Sequence, residues 1–104
     1  MDLTKDADEM ICVLYREYIE RREQGLSKSD AKGFAHPELL QQALFPEWYL
    51  EDISDTLHEL HKVEFIHLYV DYSFRLEDAA IIYMEGRFGR KLDKILSYIS
   101  SLRP

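Results

Sequence analysis

The chain has a single cysteine, Cys12, in 104 residues. No intramolecular disulfide is possible, which excludes the disulfide-stapled class of small secreted domains. Glycine is scarce too, with four positions and no phosphate-cradling pattern among them. The nearest approach, Gly86-Arg87-Phe88-Gly89, comes late and follows no buried-strand run, so it does not make a nucleotide loop. No apolar run reaches signal-peptide or membrane-spanning length. The expected setting is therefore a reducing cytoplasm without membrane contact. Basic residues are the minority, 13 against 20 acids, for a formal net charge of −7. That balance keeps a chain soluble but does not draw it to phosphate backbones.

What is present suits one globular domain. Hydrophobic residues make up 46% of the chain and aromatics 12%, too apolar for disorder. A chain of this length holds one core. The pattern predicts a first helix from about Asp6 to about Gln24, with Asp6 and Glu9 as a box-like start. Ile11, Leu14, Tyr15, Tyr18 and Ile19 form its buried stripe, with Arg16, Glu17, Glu20, Arg21 and Glu23 facing water. Gly25 is its left-handed stop. Ser27 and Asp30 start a short helix through about Lys32, which Gly33 breaks. Pro37 opens a helix to about Leu44, and Pro46 separates it from the next.

From Glu47 to Lys62 the apolar residues Ile53, Leu57 and Leu60 fall on one helical face. Phe65 and Ile66 follow. Leu68, Val70 and Phe74 then alternate with Tyr69, Asp71 and Arg75. The period has changed from that of a helix to that of a strand, and Asp71-Tyr72-Ser73 is the best turn. Leu76 to Met84 returns to helix, with a break near Arg87 at Gly86 and Gly89. Phe88, Leu92, Ile95, Leu96, Ile99 and Leu102 make the stripe of a final helix. The fold class is mainly α with a small β-hairpin.

Residues 47–88 resemble the recognition helix, wing and exit helix of the winged-helix superfamily. The residues that carry the likeness are Ile53, Leu57 and Leu60, then Phe65-Ile66, then Phe74-Arg75-Leu76 leading to Ala80, Ile81 and the pair Ile82-Tyr83. The glycine usual before the wing is replaced by Val63-Glu64. The resemblance implies a winged-helix domain plus a C-terminal helix: N-terminal helices over 1–46, a recognition-type helix over 47–62, a wing hairpin over 63–76, and exit and dimerisation helices over 77–104. The last helix is similar to the dimerisation helix of the PadR type of regulators and of bacterial replication-terminator proteins. That likeness implies a homodimer through Leu92, Ile95, Leu96, Ile99 and Leu102.

Charge sets how much function follows from the resemblance. A helix entering the major groove needs a neutral or positive exposed face. Glu47 to Lys62 instead carries Glu47, Glu51, Asp52, Asp55 and Glu59 against Lys62 alone. Residues 63–85 hold Glu64, Asp71, Glu77, Asp78 and Glu85 against Arg75. Positive charge gathers at Arg87, Arg90, Lys91, Lys94 and Arg103. The expectation is a regulatory or scaffolding protein that binds another macromolecule, first of all a protein. The alternative is a dimeric DNA-binding regulator, with Lys28 and Lys32 on phosphates and Ser54 and His58 on bases. Tyr69 and Tyr72 at the hairpin tip point to a partner surface, since tyrosine is favoured at interfaces.

Catalysis has no support in the sequence. Cys12 beside Ile11 is a buried structural thiol, and no nucleophile, base and orienting group come together. His58 and His61 are three apart and His67 follows on the hairpin, but the zinc-protease spacing is four and no cysteine is near. Surface histidines flanking Leu57 and Leu60 account for them. No enzyme activity, metal, cofactor or small-molecule substrate is expected.

Overall fold

Thr4 starts the first helix. The computed structural model describes residues 2–102, and in it α1 spans Lys5–Glu23. The expected start at Asp6 and Glu9 is corrected. Thr4 has the extended backbone of a cap, and its hydroxyl oxygen accepts the Ala7 N–H at 3.2 Å. The Thr4 N–H and hydroxyl also donate to the Glu59 carboxylate at 3.0 and 2.7 Å, so the cap is anchored to another helix. At the other end Gly25 is left-handed, with φ of 98°. Its N–H reaches the Arg22 carbonyl at 3.0 Å, and the Leu26 N–H reaches that of Arg21 at 3.1 Å. The expected stripe is buried, yet burial goes further and runs unbroken from Glu9 to Tyr15.

Five further helices and three strands follow among the described residues. Helix α2 is Lys28–Ala31, capped by Ser27, and β1 is Gly33–Phe34. Helix α3 is Pro37–Leu44 and α4 is Leu50–Lys62. Strands β2 (Ile66–Leu68) and β3 (Phe74–Leu76) form the hairpin. Helix α5 is Asp78–Phe88 and α6 is Leu92–Leu102. The sheet has the order β1-β3-β2 and is antiparallel, with Phe34 opposite Phe74 and Ile66 opposite Leu76. The chain is mainly helical with a small sheet, as its pattern predicts.

Several boundaries differ from expectation for identifiable reasons. Helix α4 begins at Leu50 and not at Glu47, because Trp48 packs edge-on against Phe45 at 5.1 Å and gives its carbonyl to the Gln41 side chain at 2.6 Å. Gly33 does more than break a helix. The Phe34 ring stacks on Phe74 at 5.2 Å, and Arg21 of α1 donates to the Gly33 carbonyl at 2.5 Å with its guanidinium over the Phe34 ring. Leu76 belongs to β3 and not to the following helix, its N–H bonded to the Lys32 carbonyl at 2.9 Å. Gly86 sits inside α5, and the break falls at Gly89, where φ is 63°. Val70 does not continue the buried alternation: at the hairpin tip it is 100% exposed.

Helix α6 lies on α1 of its own chain. Ile95 is fully buried there, and Leu92 and Ile99 pack partly against the same core. The expectation of a free dimerisation stripe is corrected to that extent. Ile95 is a core residue, Leu102 is half-buried, and Leu96 is the member left exposed. One polar cluster fixes the arrangement. Arg87 of α5 donates two hydrogen bonds to Asp8 of α1, at 2.5 and 3.2 Å, and the Tyr98 hydroxyl of α6 donates to the same carboxylate. The Arg87 guanidinium also lies 4.5 Å from the Tyr98 ring centre and 4.9 Å from that of Phe88. Burial would raise the Asp8 pKa, but the bonds from Arg87 and Tyr98, helped by the Arg87 charge, hold it below its ordinary 3.8.

Glu64 ends α4 with φ of 64°, in the place where a helix stop favours glycine. Its N–H meets the His61 carbonyl at 3.0 Å and the Phe65 N–H meets that of Leu60 at 2.9 Å. Glu64→Gly should raise stability by about 0.5–1 kcal/mol in urea unfolding, by relieving a left-handed side chain. Arg87→Met should lower it by about 1–3 kcal/mol, because Asp8 loses its charged partner. The folded Asp8 pKa is depressed, so the contribution is present above its unfolded value and lost as pH falls through the folded one. The gap between wild type and Arg87→Met should hold at neutral pH and narrow below about pH 4.

Candidate functional site

Helix α4 is amphipathic. Ile53, Thr56, Leu57 and Leu60 face the core, and the Thr56 hydroxyl bonds back to the Asp52 carbonyl at 2.7 Å. Glu51, Asp55, His58 and Lys62 are exposed, and Ser54 is half-buried. Glu59 leaves this acidic face, because Thr4 holds its carboxylate.

The hairpin tip is built to stand beside α4. The Tyr69 N–H bonds to the Ser73 carbonyl at 2.9 Å, and the Tyr72 N–H to that of Tyr69 at 3.0 Å. Asp71 accepts from the Ser73 N–H at 3.0 Å and from its hydroxyl at 2.6 Å. Tyr72 is left-handed, with φ of 66°. That turn sets the Tyr72 ring edge-on to His58 of α4 at 5.7 Å. On the other side of the hairpin the Tyr69 ring meets His67 at 4.7 Å, and His67 meets His61 at 5.9 Å. His58 and His61 therefore take different ring partners. Among the described residues no three His, Cys, Asp or Glu side chains are grouped as metal ligands.

Between α4, the hairpin tip and the start of α3 lies a groove of about 550 Å³. His36, Pro37 and Glu38 form one wall, Leu50, Glu51 and Ser54 another, and Asp71 and Tyr72 the third. His36 Nδ1 is 2.9 Å from the Glu38 carboxylate. Glu38 is held below the usual carboxylate range by its own backbone N–H and by His36. Asp71 is held below it by the Ser73 bonds, with a smaller effect of the His36 charge. Both rim acids stay ionised at neutral pH.

The structure divides the residues nominated from sequence. Ser54, His58 and Tyr72 come together at this groove and on the face of α4 beside it. Tyr69, Lys28 and Lys32 lie together along a different depression, beside β1 and β3. Both lysines pair with the same carboxylate, Asp78 of α5, Lys28 at 3.5 Å and Lys32 at 2.6 Å. Of the cationic group near the C-terminus, Arg87 is held by Asp8, Arg90, Lys91 and Lys94 are exposed, and Arg103 lies outside the described residues. The wall at His36, Pro37 and Glu38 had no signal in the sequence beyond the proline that starts α3. Among the described residues no helix is long and apolar enough to cross a membrane. Comparison with protein-family models, with curated proteins and with solved structures finds no match to this chain.

Cys12 stands apart from the groove, buried in α1. Burial, reinforced by the nearby charge of Asp8, pushes its thiol up to about 12. Native protein at pH 8 should resist alkylation by iodoacetamide, with labelling that tracks the unfolded fraction as urea is added. Rapid labelling of the native state, followed by mass spectrometry, would contradict this burial.

Proposed function

We propose that the chain is a non-enzymatic interaction module of winged-helix type, whose α4 and hairpin meet a protein and not a duplex. The observation that carries this reading is the charge of the exposed face. Glu51 and Asp55 on α4 and Asp71 at the hairpin tip all stand in the open beside the groove. A face that enters the major groove lies between two phosphate rows, and each exposed carboxylate there opposes binding. Lys28 and Lys32 do not offset those acids at the groove, because they lie along a different depression and pair with Asp78. The winged-helix reading is supported by the order of α3, α4, hairpin and α5, and by the pairing of β1 with the hairpin strand β3. An interaction role is supported by Tyr72, an exposed side chain of a type enriched at protein contacts, and by the exposed apolar Leu50 that lines the same groove.

The test is a photo-crosslinking residue in place of Ser54, used in the native host. The adduct should be sensitive to protease and unaffected by nuclease. Random duplex DNA should bind more weakly than about 100 μM at physiological salt, the weak end of non-specific binding. A nuclease-sensitive adduct, or micromolar duplex binding lost in Ser54→Ala with His58→Ala, would establish the DNA-binding alternative instead.

A further inference from the structure

The groove between α3, α4 and the hairpin combines two features. Its apolar part is made by Pro37, Leu50 and the Tyr72 ring, with Leu50 and Tyr72 both well exposed. Its charged part comes from three separate elements: Glu38 on α3, Glu51 on α4 and Asp71 on the hairpin. No lysine or arginine is among the residues that line it, and its one basic side chain, His36, is already beside Glu38. Asp55 extends the acidic face one turn beyond Glu51 on the same side of α4.

We infer that this groove docks a basic segment of a partner protein, one carrying arginine or lysine next to an apolar side chain. The inference rests on the protein-binding reading above and names the chemistry of the partner. Charge complementarity selects the occupant, because three carboxylates meet only one basic side chain at the rim, His36, and an acidic or neutral segment would add none. Arginine suits the site better than lysine. Its guanidinium binds a carboxylate through two parallel bonds and stacks on a tyrosine ring, and both partners are present here. The apolar neighbour of the arginine covers Leu50 and Pro37, supplying the dry contact that exposed ion pairs alone do not give. Glu38 and Asp71 stay ionised over the whole neutral range, so the rim keeps its charge. The docking wall is formed before the partner arrives, since the Tyr72 ring rests on His58 and the turn is closed by Asp71 and Ser73.

Amide NMR titrations of the full chain distinguish the outcomes. The probes are a short peptide alternating arginine and leucine, the same peptide with glutamate for arginine, and a random DNA duplex. The arginine peptide should shift Leu50, Glu51, Ser54 and Tyr72, and Glu38→Gln with Glu51→Gln should weaken it about fivefold, as expected for two exposed ion pairs. Both side chains are exposed, so the double variant should keep the wild-type spectrum elsewhere. Shifts at these amides from the glutamate peptide would overturn the basic partner and leave the protein-binding reading intact. The duplex moving the same amides would overturn both readings. An arginine peptide that shifts nothing, or shifts another face, would overturn the docking site. Concentration-dependent shifts there without any probe would give the groove to a second copy of the chain.

Discussion

Because the residues from Glu9 to Tyr15 of α1 are buried without a break, no single partner can cover that helix. It must be packed from several directions at once. Helices α4, α5 and α6 all contact it, and α2 meets it near its end. Each direction also has a polar fastening. Thr4 bonds Glu59 of α4, Asp8 bonds Arg87 of α5 and Tyr98 of α6, Tyr15 bonds the Gly89 carbonyl at 2.7 Å, and Arg21 bonds β1. Apolar burial drives the wrapping and is non-directional, whereas these bonds fix which element lies where. Helix α6 follows from this constraint. Without it one side of α1 would be open to water, and Ile95 with parts of Leu92 and Ile99 closes that side while Leu96 stays exposed.

The surface that faces a partner depends on the same frame at one remove. Helix α4 is positioned through its buried face on α1, and the hairpin is positioned by β1 and α4 together. Two left-handed residues, Glu64 and Tyr72, carry strain at the two points where the chain reverses around this surface. Glu64 directs the chain from α4 into β2. Tyr72 turns its ring onto His58. Non-glycine residues in that conformation cost on the order of 1 kcal/mol each, a cost the surrounding packing and hydrogen bonds offset. At Tyr72 the ring this conformation places also forms a wall of the groove, so the strained backbone and the candidate site coincide.

Local pattern made much of this legible. Pro37 to Leu44 is a helix with the predicted bounds, Ser27 and Gly25 cap as their chemistry requires, and Asp71-Tyr72-Ser73 is the turn. The features that stayed hidden are set by distant partners. A two-residue strand at Gly33-Phe34 has no period of its own and exists because Phe74 and Arg21 meet it. The all-round burial of α1 is invisible to a stripe reading: the Cys12 thiol reads as buried, but Met10 and Val13 look like incidental apolar positions until four helices surround them. Glu64 gives no sign of a left-handed stop, because the helix ending there depends on Phe65 entering the core. At the site, Ser54, His58 and Tyr72 were visible as exposed polar or aromatic residues in the right elements. The third wall at His36 to Glu38 was not, as nothing local says which way the start of α3 faces.

Charge shows the same limit in a sharper form. A count along α4 and the hairpin assigns every acid equally to the outer face, but pairing divides them. Glu59 caps α1 through Thr4, and Asp78 holds Lys28 and Lys32. Lys28 and Lys32 are thereby partnered, while Glu51, Asp55 and Asp71 remain in the open. Exposed ion pairs such as those of Asp78 add little to stability, so their main consequence is for the field outside the protein. Beyond about 10 Å that field is screened at ordinary salt, and a partner senses the charges nearest to it. For a ligand at the groove these are Glu38, Glu51 and Asp71, on three elements and without a lysine or arginine among them. The sign of the surface is therefore decided less by the net charge of the chain than by the three carboxylates that the fold brings to the groove.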